Sequence, residues 1–249
     1  MITRRMLLFT PAAFAQPAPS GLDLFLLTGQ SNMAGRGEVE AQDRTPVDGV
    51  WALNKEMKWV PAADPLHWDR PTAGVGLGRS FALRMRAANP RRSIGLVPCA
   101  VGGSSLEQWT VGGAIFTEAV RRAAIASKAG TIRGILWHQG EAESGSAANA
   151  ESYRERFSVV MSALRSETGA GGVPVAVGQL GTFFRRDEAA RVNQQLAMLP
   201  LTFQRCAFVS SAGLVHKGDD VHFDSASLRE FGRRYALAYL SLDPDWEAK

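Results

Sequence analysis

Cysteine is scarce in this chain, with Cys99 and Cys206 the only two among 249 residues. Each lies in or beside a short apolar stretch typical of a buried strand, so free buried thiols are expected rather than a disulfide framework. The four histidines form no Cys/His spacing of the kind that binds zinc. The sequence therefore predicts no metal site.

The chain also lacks a continuous basic pattern, although its 28 Lys and Arg residues outnumber 24 Asp and Glu residues and give a formal net charge of +4. The basic residues are scattered, and they do not alternate with aromatic residues as in nucleic-acid-binding surfaces. No segment beyond the N-terminus approaches the ~20 apolar residues of a membrane-spanning helix. Nucleic-acid binding and a membrane span are therefore both disfavoured.

The first 15 residues resemble an export signal. Arg4-Arg5 provide a charged region, residues 6–14 a short apolar stretch, and Ala13-Phe14-Ala15 a small-x-small cleavage site. Residues 3–8 also resemble a twin-arginine signal. Residues 1–15 are thus predicted to be a signal peptide, the protein is predicted to be exported to the periplasm or secreted, and one domain is predicted over residues 21–245.

Five short apolar runs rich in branched residues follow the N-terminus, at residues 22–27, 93–97, 132–137, 173–177 and 206–209. They are continuous rather than alternating, which is typical of parallel strands covered on both faces. Helical patterns separate or follow them, at residues 77–88, 117–129, 148–167, 187–198 and 227–242. This alternation predicts an α/β domain with a doubly wound sheet.

Residues 42–76 interrupt the alternation. Residues 50–53 and 58–61 are predicted to form a small hairpin, and a segment containing several prolines and Trp68 follows them. Long insertions after the first strand of an α/β sheet usually lie at its carboxyl edge, beside the ligand crevice. The insertion is therefore expected to border the functional site.

A serine and an acid–histidine pair are the main candidates for chemistry. Ser31 directly follows the first apolar run, where an α/β enzyme places a nucleophile. A serine hydroxyl needs a base within hydrogen-bond reach, and the loop that carries His222 returns to the same sheet edge. Asp219, three residues before His222, can accept the other imidazole N–H and fix its tautomer.

Acyl transfer also requires donors for the developing oxyanion. The backbone N–H of Ser31 is one candidate, and the turn Gly102-Gly103-Ser104-Ser105 offers another because glycine permits close backbone approach. Gln139 follows the third apolar run and can direct its side-chain amide at the same oxygen. His138, its neighbour, is then expected to point to the opposite face of the sheet.

Four ordered blocks resemble a known family: Gly29-Gln30-Ser31-Asn32-Met33-Ala34-Gly35-Arg36-Gly37, Gly102-Gly103-Ser104-Ser105, Trp137-His138-Gln139-Gly140-Glu141 and Asp219-Asp220-Val221-His222-Phe223. They are similar to the successive motifs of the SGNH hydrolases. More narrowly, they resemble the branch that contains sialate O-acetylesterase-like proteins and the acetylxylan esterases of carbohydrate esterase family 6. The likeness covers nearly the whole chain after the predicted signal peptide.

The resemblance implies a flavodoxin-like three-layer α/β/α sandwich with a five-stranded parallel sheet in the order 2-1-3-4-5. The implied catalytic triad is Ser31, Asp219 and His222. The implied oxyanion hole is Ser31, Gly103 and Gln139. SGNH hydrolases in general carry asparagine where this chain has Gln139, whereas this branch commonly has glutamine. In the implied strand order Cys99 and Cys206 lie at opposite edges, so they are not expected to pair, because a disulfide needs Cα atoms within ~7 Å.

Glu141 has two open roles. It could orient His222 in place of Asp219, or accept hydrogen bonds from the serine loop, for instance from Asn32. The second role is favoured because Asp219 is closer to His222 in sequence. The candidate substrate contacts are Asn32, His67, Trp68 and Trp109. For the two tryptophans, packing against the core is the alternative.

The expected function is that of a serine esterase that removes O-acetyl groups from a carbohydrate of acetylxylan or sialate type, through an acetyl-enzyme. Such a reaction requires no metal or organic cofactor. The expected partner is an acetylated sugar, oligosaccharide or polysaccharide, and no oligomeric state is indicated. A lipase or thioesterase for longer acyl chains and a non-catalytic carbohydrate-binding protein are the alternatives.

Overall fold

A central sheet flanked by helices organises residues 19–247, which are the residues that the computed structural model describes. In chain order the elements are β1 (Leu22–Gly29), α1 (Ser31–Ala34), α2 (Ala41–Arg44), β2 (Val50–Leu53), β3 (Trp59–Pro61), α3 (Gly78–Ala88), β4 (Ile94–Pro98), α4 (Ala114–Ala126), β5 (Gly130–His138), α5 (Ala147–Glu151), α6 (Tyr153–Glu167), β6 (Val175–Gly178), α7 (Ala189–Thr202), β7 (Cys206–Val209) and α8 (Ser225–Leu242). The predicted signal peptide lies outside the described residues, and export stays a prediction.

The sheet has seven strands in the order β3-β2-β4-β1-β5-β6-β7. Neighbouring strands are parallel except for the antiparallel pair β2 and β3. The predicted α/β class is confirmed, and β4-β1-β5-β6-β7 reproduces the expected order of five parallel strands. The predicted number of strands is wrong, because β2 pairs with β4 and so adds the predicted hairpin to the sheet.

Helices cover both faces of the sheet. One buried cluster contains Phe25, Phe81 and Phe231 and joins the sheet to α3 and α8. The other contains Trp137, Phe157 and residues of α4, α6 and α7. Every residue of β1 is buried, as expected for a central strand with parallel neighbours on both sides.

Cys99 and Cys206 are both buried and free, in agreement with the sequence. Cys99 follows β4, whereas Cys206 begins β7 on the other side of β1 and β5. Burial raises the pKa of each thiol to about 12, which keeps both protonated. Among residues 19–247, no helix is long and apolar enough to span a membrane.

Gly29 ends β1 at a point where only glycine fits. Its φ is +120°, and a Cβ would overlap the backbone carbonyl of His138 at the end of β5. The next N–H, that of Gln30, donates to the same carbonyl at 2.8 Å. The chain therefore turns out of the sheet directly over the neighbouring strand and delivers Ser31 to the carboxyl edge.

We expect Gly29→Ala to lower the free energy of unfolding by more than about 2 kcal/mol, because it combines backbone strain with a steric overlap. Urea unfolding followed by circular dichroism measures this. Gly171→Ala is the matched control, since its φ is outside the left-handed region and a Cβ would meet no atom within 4 Å. Equal losses in the two variants would contradict this account of Gly29.

Candidate functional site

Ser31 is the first residue of α1, a helix of 4 residues at the carboxyl end of β1. The carbonyl of Gln30 accepts hydrogen bonds from the N–H groups of Met33 at 3.0 Å and Ala34 at 2.9 Å. The N–H of Gly35 donates to the Ser31 carbonyl at 2.8 Å and closes the turn. This short helix holds Ser31 in a fixed position at the edge of a cleft.

His222 and Asp219 come to Ser31 from the loop between β7 and α8. The Nε2 atom of His222 lies 3.0 Å from the Oγ atom of Ser31. The Nδ1 atom of His222 lies 2.7 Å from Oδ2 of Asp219. Because a carboxylate only accepts hydrogen bonds, Nδ1 carries the hydrogen and Nε2 is left to accept the serine proton.

The Asp219 carboxylate is held in the ionised form. Its second oxygen, Oδ1, accepts the backbone N–H groups of Val221 at 3.0 Å and His222 at 2.8 Å. Burial alone would raise the pKa of Asp219, but the hydrogen bonds from His222 and Val221 outweigh it and lower the pKa to about 2. Asp219 therefore keeps its charge at every pH at which an esterase is normally assayed.

His216 folds the loop that carries this pair. Its Nδ1 atom accepts the backbone N–H groups of Gly218 and Asp220, both at 3.1 Å. The N–H of Lys217 donates to the His222 carbonyl at 2.9 Å. Sequence reasoning did not assign this role to His216, and its proximity to Asp219 and His222 was the available signal.

Within residues 19–247, the Glu141 side chain forms no hydrogen bond or ion pair with His222. Its Oε1 atom accepts a hydrogen bond from Nδ2 of Asn32 at 2.7 Å and lies 3.6 Å from Nε2 of His138. Burial alone would raise the pKa of Glu141, but the contacts with His138 and Asn32 outweigh it and lower the pKa. The arrangement corresponds to the second role considered for Glu141, an acceptor for the serine loop.

Asn32 is fully buried and bonds to protein atoms on three sides. Besides Glu141, its Nδ2 atom donates to the Val221 carbonyl at 3.2 Å. Its Oδ1 atom accepts the N–H of Phe223 at 3.2 Å. Asn32 thus lies behind the site, where its side chain joins two loops by hydrogen bonds. It is not on the substrate side, where the sequence made it a candidate substrate contact.

The turn at residues 102–104 brings Gly103, the predicted backbone donor, to the edge of the cleft. Gly103 borders the cleft with a φ of +79°, and a side chain there would meet no atom within 4 Å. Within the described part of the chain, no protein acceptor is bonded to the Gly103 N–H. Ser104 fixes the turn to β1, since its Oγ atom donates to the Gly29 carbonyl at 3.2 Å.

Gln139 does not face the cleft, which corrects the sequence-based placement of its amide in the oxyanion hole. Its Nε2 atom donates to the Ser104 carbonyl at 3.2 Å and to the carboxylate of Glu143. Glu143 lies in the 3-10 turn Glu143–Gly145 and is itself fully buried, so it attracts both the amide and the N–H of Leu106. Gln139 therefore supports the turn from behind, while His138 points to the other face, against Tyr235.

The cleft above Ser31 has a volume of about 910 Å³. It is lined by Gln30, Ser31, Arg36, Arg70, Thr72, Gly102, Gly103, Glu141, Ala142, Phe184, Arg185, Arg186, Val221 and His222. The insertion at residues 42–76 borders the cleft as expected, but through Arg70 and Thr72. Sequence reasoning missed the cleft arginines, and the Arg185-Arg186 pair was the visible signal for two of them.

The three other candidate substrate residues lie away from this lining. His67 is buried, and burial lowers its pKa to about 4. Trp68 is exposed, but its ring packs over the Arg122 guanidinium at 4.5 Å. Trp109 is fully buried and its Nε1 atom donates to Oγ of Ser104 at 3.0 Å. Core packing, the alternative considered for Trp109, is what the structure has.

The acid, base and hydroxyl at this cleft have the arrangement of hydrolytic enzymes, and similar proteins agree. The family described as "Carbohydrate esterase, sialic acid-specific acetylesterase" (SASA) matches residues 21–241. The probable carbohydrate esterase At4g34215 of Arabidopsis thaliana is 30% identical over 241 residues, which cover 88% of this chain and 90% of that protein. The protein is therefore a carboxylic ester hydrolase. It belongs to the SASA family of carbohydrate esterases.

Solved structures agree with the fold. The crystal structure of the Arabidopsis thaliana protein has a TM-score of 0.82 at 28% identity and covers 89% of this chain and 98% of that chain. NanS has a TM-score of 0.76 at 18% identity, and the match covers 92% of this chain and 99% of NanS. XAC1771, described as a carbohydrate acetylesterase from Xanthomonas citri, has a TM-score of 0.68 at 20% identity, with 88% and 56% covered. The latter two similarities concern the fold.

We expect Asp219→Asn to lower kcat by at least about 100-fold, because the amide no longer fixes the His222 tautomer or stabilises the imidazolium. Glu141→Gln is the matched comparison and should cost much less, since its oxygen can still accept from Asn32. Steady-state kinetics with 4-nitrophenyl acetate measure both, with circular dichroism to check folding. The reverse order in two folded variants would place Glu141 in the triad.

Proposed function

We propose that the protein is a serine esterase that removes O-acetyl groups from a carbohydrate through an acetyl-enzyme intermediate. The observation that carries this proposal is the continuous chain of contacts from Ser31 through His222 to Asp219, at 3.0 Å and 2.7 Å. The family assignment supports O-deacetylation of carbohydrates as the overall reaction.

In the first half-reaction the Ser31 Oγ atom attacks the acetyl carbonyl carbon while Nε2 of His222 takes the serine proton. The carbonyl oxygen becomes an oxyanion, which accepts hydrogen bonds from the N–H groups of Ser31 and Gly103. The carbon–oxygen bond to the sugar then breaks. The sugar oxygen leaves with the proton from His222, and the acetyl group stays on Ser31.

In the second half-reaction His222 takes a proton from water, and the resulting hydroxide attacks the acetyl carbonyl. The tetrahedral intermediate breaks down to acetic acid, which loses its proton to solvent as acetate, and the proton on His222 returns to Ser31. Asp219 remains ionised throughout, because its pKa of about 2 lies far below that of an imidazole. It compensates the positive charge that His222 acquires in each step.

The sugar is further proposed to carry a negative charge. Arg70 and Arg185 are exposed at the cleft, and neither has a carboxylate partner among residues 19–247. Arg186 donates to the Glu141 carbonyl at 3.2 Å and likewise keeps its charge unpaired within those residues. Unpaired guanidinium groups around a cleft attract a carboxylate and can bind it with two hydrogen bonds. The sialic acid named in the family description, like the uronic acids of pectin, carries such a group.

Ser31→Ala should reduce kcat on 4-nitrophenyl acetate by several orders of magnitude while the circular dichroism spectrum is unchanged, because the nucleophile is lost. An acyl series from acetyl to octanoyl esters, run on the parent protein, tests the acyl preference. A steep fall beyond acetyl is expected. A folded Ser31→Ala variant with most of the activity would refute the mechanism, and equal rates along the series would favour a lipase or thioesterase.

Charge selectivity is tested with acetate release from acetylated sialosides, pectin fragments and neutral xylo-oligosaccharides. We expect Arg185→Gln and Arg70→Gln each to raise KM for a charged substrate by about 10-fold, the effect of losing a charge-assisted hydrogen bond. The same variants should leave kcat/KM for 4-nitrophenyl acetate unchanged. Arg91→Gln, an exposed arginine at the opposite edge of the sheet, is the matched control. A parent enzyme that prefers xylo-oligosaccharides would refute the charge preference and leave the reaction intact.

A further inference from the structure

We infer that Asp69 is a positioning residue for ester hydrolysis: its buried carboxylate holds the turn at Gly102 and Gly103 in the orientation from which Gly103 donates to the oxyanion. The inference rests on the proposed serine-esterase mechanism. It assigns a task to a residue that lies outside the triad, beyond the lining of the cleft, and in none of the four sequence blocks that resemble the hydrolase family.

The contacts of Asp69 join two parts of the site. Its Oδ2 atom accepts the backbone N–H of Gly102 at 2.7 Å. The same atom lies 2.6 Å from Nη2 of Arg36, and Oδ1 lies 3.3 Å from Nη1. Only 5% of the Arg36 side chain and 4% of the Asp69 side chain are exposed, so water scarcely competes for this ion pair.

Arg36 carries these contacts to the nucleophile. Its Nη1 atom donates to the Gly35 carbonyl at 2.7 Å. The N–H of Gly35 in turn donates to the carbonyl of Ser31 at 2.8 Å. A continuous path of short polar contacts therefore runs from Ser31 through Arg36 and Asp69 to Gly102.

The turn needs such support because both of its first residues are glycines. Glycine populates positive and negative φ with similar ease, so a Gly-Gly pair does not fix the direction of the peptide N–H between its residues. Gly103 has a φ of +79° and open space around its Cα atom, so no side-chain packing fixes it either. At Gly102, a Cβ would collide with Arg36 and Asp69, which shows how closely the ion pair approaches the backbone.

Fixed donors are what an oxyanion hole contributes, since they need no reorganisation when the negative charge forms. The turn is closed by the Ser104 N–H, which donates to the Val101 carbonyl at 3.2 Å, but that bond does not involve the peptide between Gly102 and Gly103. Loss of the Asp69 carboxylate removes the contact next to this peptide and leaves it freer to rotate. The ground-state ester has no oxyanion to lose, so the effect falls on kcat rather than on KM. A purely structural ion pair would instead change stability and leave both kinetic constants of the folded protein unaltered.

Asp23 provides a matched control for the loss of a buried ion pair. Its two carboxylate oxygens lie 2.8 Å from Nη1 of Arg92 and 2.8 Å from Nε of Arg133. The Asp23 side chain is 9% exposed. It lies near the start of β1, about 20 Å from Gly29 at the other end of the strand. Asp23→Asn therefore removes the charge of another buried, ion-paired carboxylate without touching the turn.

The experiment measures kcat and KM on 4-nitrophenyl acetate for Asp69→Asn, Asp69→Ala and Asp23→Asn, each corrected for its folded fraction by urea unfolding. Asp69→Asn keeps a neutral acceptor for the Gly102 N–H and should lower kcat by about 10-fold, and Asp69→Ala by about 100-fold. KM should change by less than about 3-fold, and Asp23→Asn should keep the parent kcat. The inhibition constant of phenylboronic acid, which adds to the serine hydroxyl and forms a tetrahedral anion, should rise in proportion to the loss in kcat/KM.

An unchanged kcat in folded Asp69→Asn and Asp69→Ala, or a loss that Asp23→Asn reproduces, would overturn the inference. So would a lower kcat with unchanged binding of phenylboronic acid. Should Asp69→Ala not fold, Asp69→Asn and Arg36→Lys carry the same test, with losses expected in kcat for both. Full activity in Ser31→Ala would refute the serine mechanism itself, which separates that failure from a failure of the role given to Asp69.

Discussion

The hydrogen bonds of Asn32 decide whether three separate loops form one site. Its side chain bonds to Glu141 after β5 and to the backbone of Val221 and Phe223 on either side of His222. Because Asn32 directly follows Ser31 in α1, a shift of the backbone around His222 away from Ser31 breaks these hydrogen bonds. A buried amide left without a partner costs about 1–3 kcal/mol. The distance between Ser31 and the backbone of His222 is therefore coupled to the packing of the core.

The pattern of strands explains how much of the site can be predicted from the sequence. Continuous apolar runs identify buried parallel strands, and parallel strands bring their carboxyl ends to one edge. This pattern is sufficient to predict that Ser31, Asp219 and His222 meet at one edge of the sheet. Pairing between strand edges is a tertiary property, and the hairpin of β2 and β3 was therefore predicted without its place in the sheet.

Side-chain partners across a turn were harder to predict than positions along the chain. Successive side chains along a strand point to opposite faces, and this rule correctly predicts that Gln139 and His138 lie on opposite faces of the sheet. It did not reveal that Glu143, four residues after Gln139, would bind the amide behind the cleft. The insertion shows the same difficulty: Trp68 lies over Arg122, whereas its neighbour Asp69 accepts the backbone N–H of Gly102.

Charge is distributed unequally between the wall of the site and its opening. Inside the wall, the carboxylates of Asp69, Glu141 and Glu143 each accept hydrogen bonds from nearby N–H groups. At the opening, Arg70 and Arg185 are exposed at the cleft. The unpaired arginines therefore add positive charge at the entrance to the cleft. The proposed preference for an anionic sugar depends on this unequal distribution of charge.

The insertion at residues 42–76 contributes to the sheet, to the support of the turn at Gly102 and to the border of the cleft. Its first half extends the sheet through β2, and its second half pairs with residues 35–37 through the bridge between Gly37 and Val75. Asp69, between these anchors, accepts the backbone N–H of Gly102. The stretch from Arg70 to Ala73 is the part of the insertion that borders the cleft without such an anchor to the sheet or the turn. Substrate selectivity can therefore vary at Arg70 and Thr72, while a change at Asp69 alters catalysis for every ester.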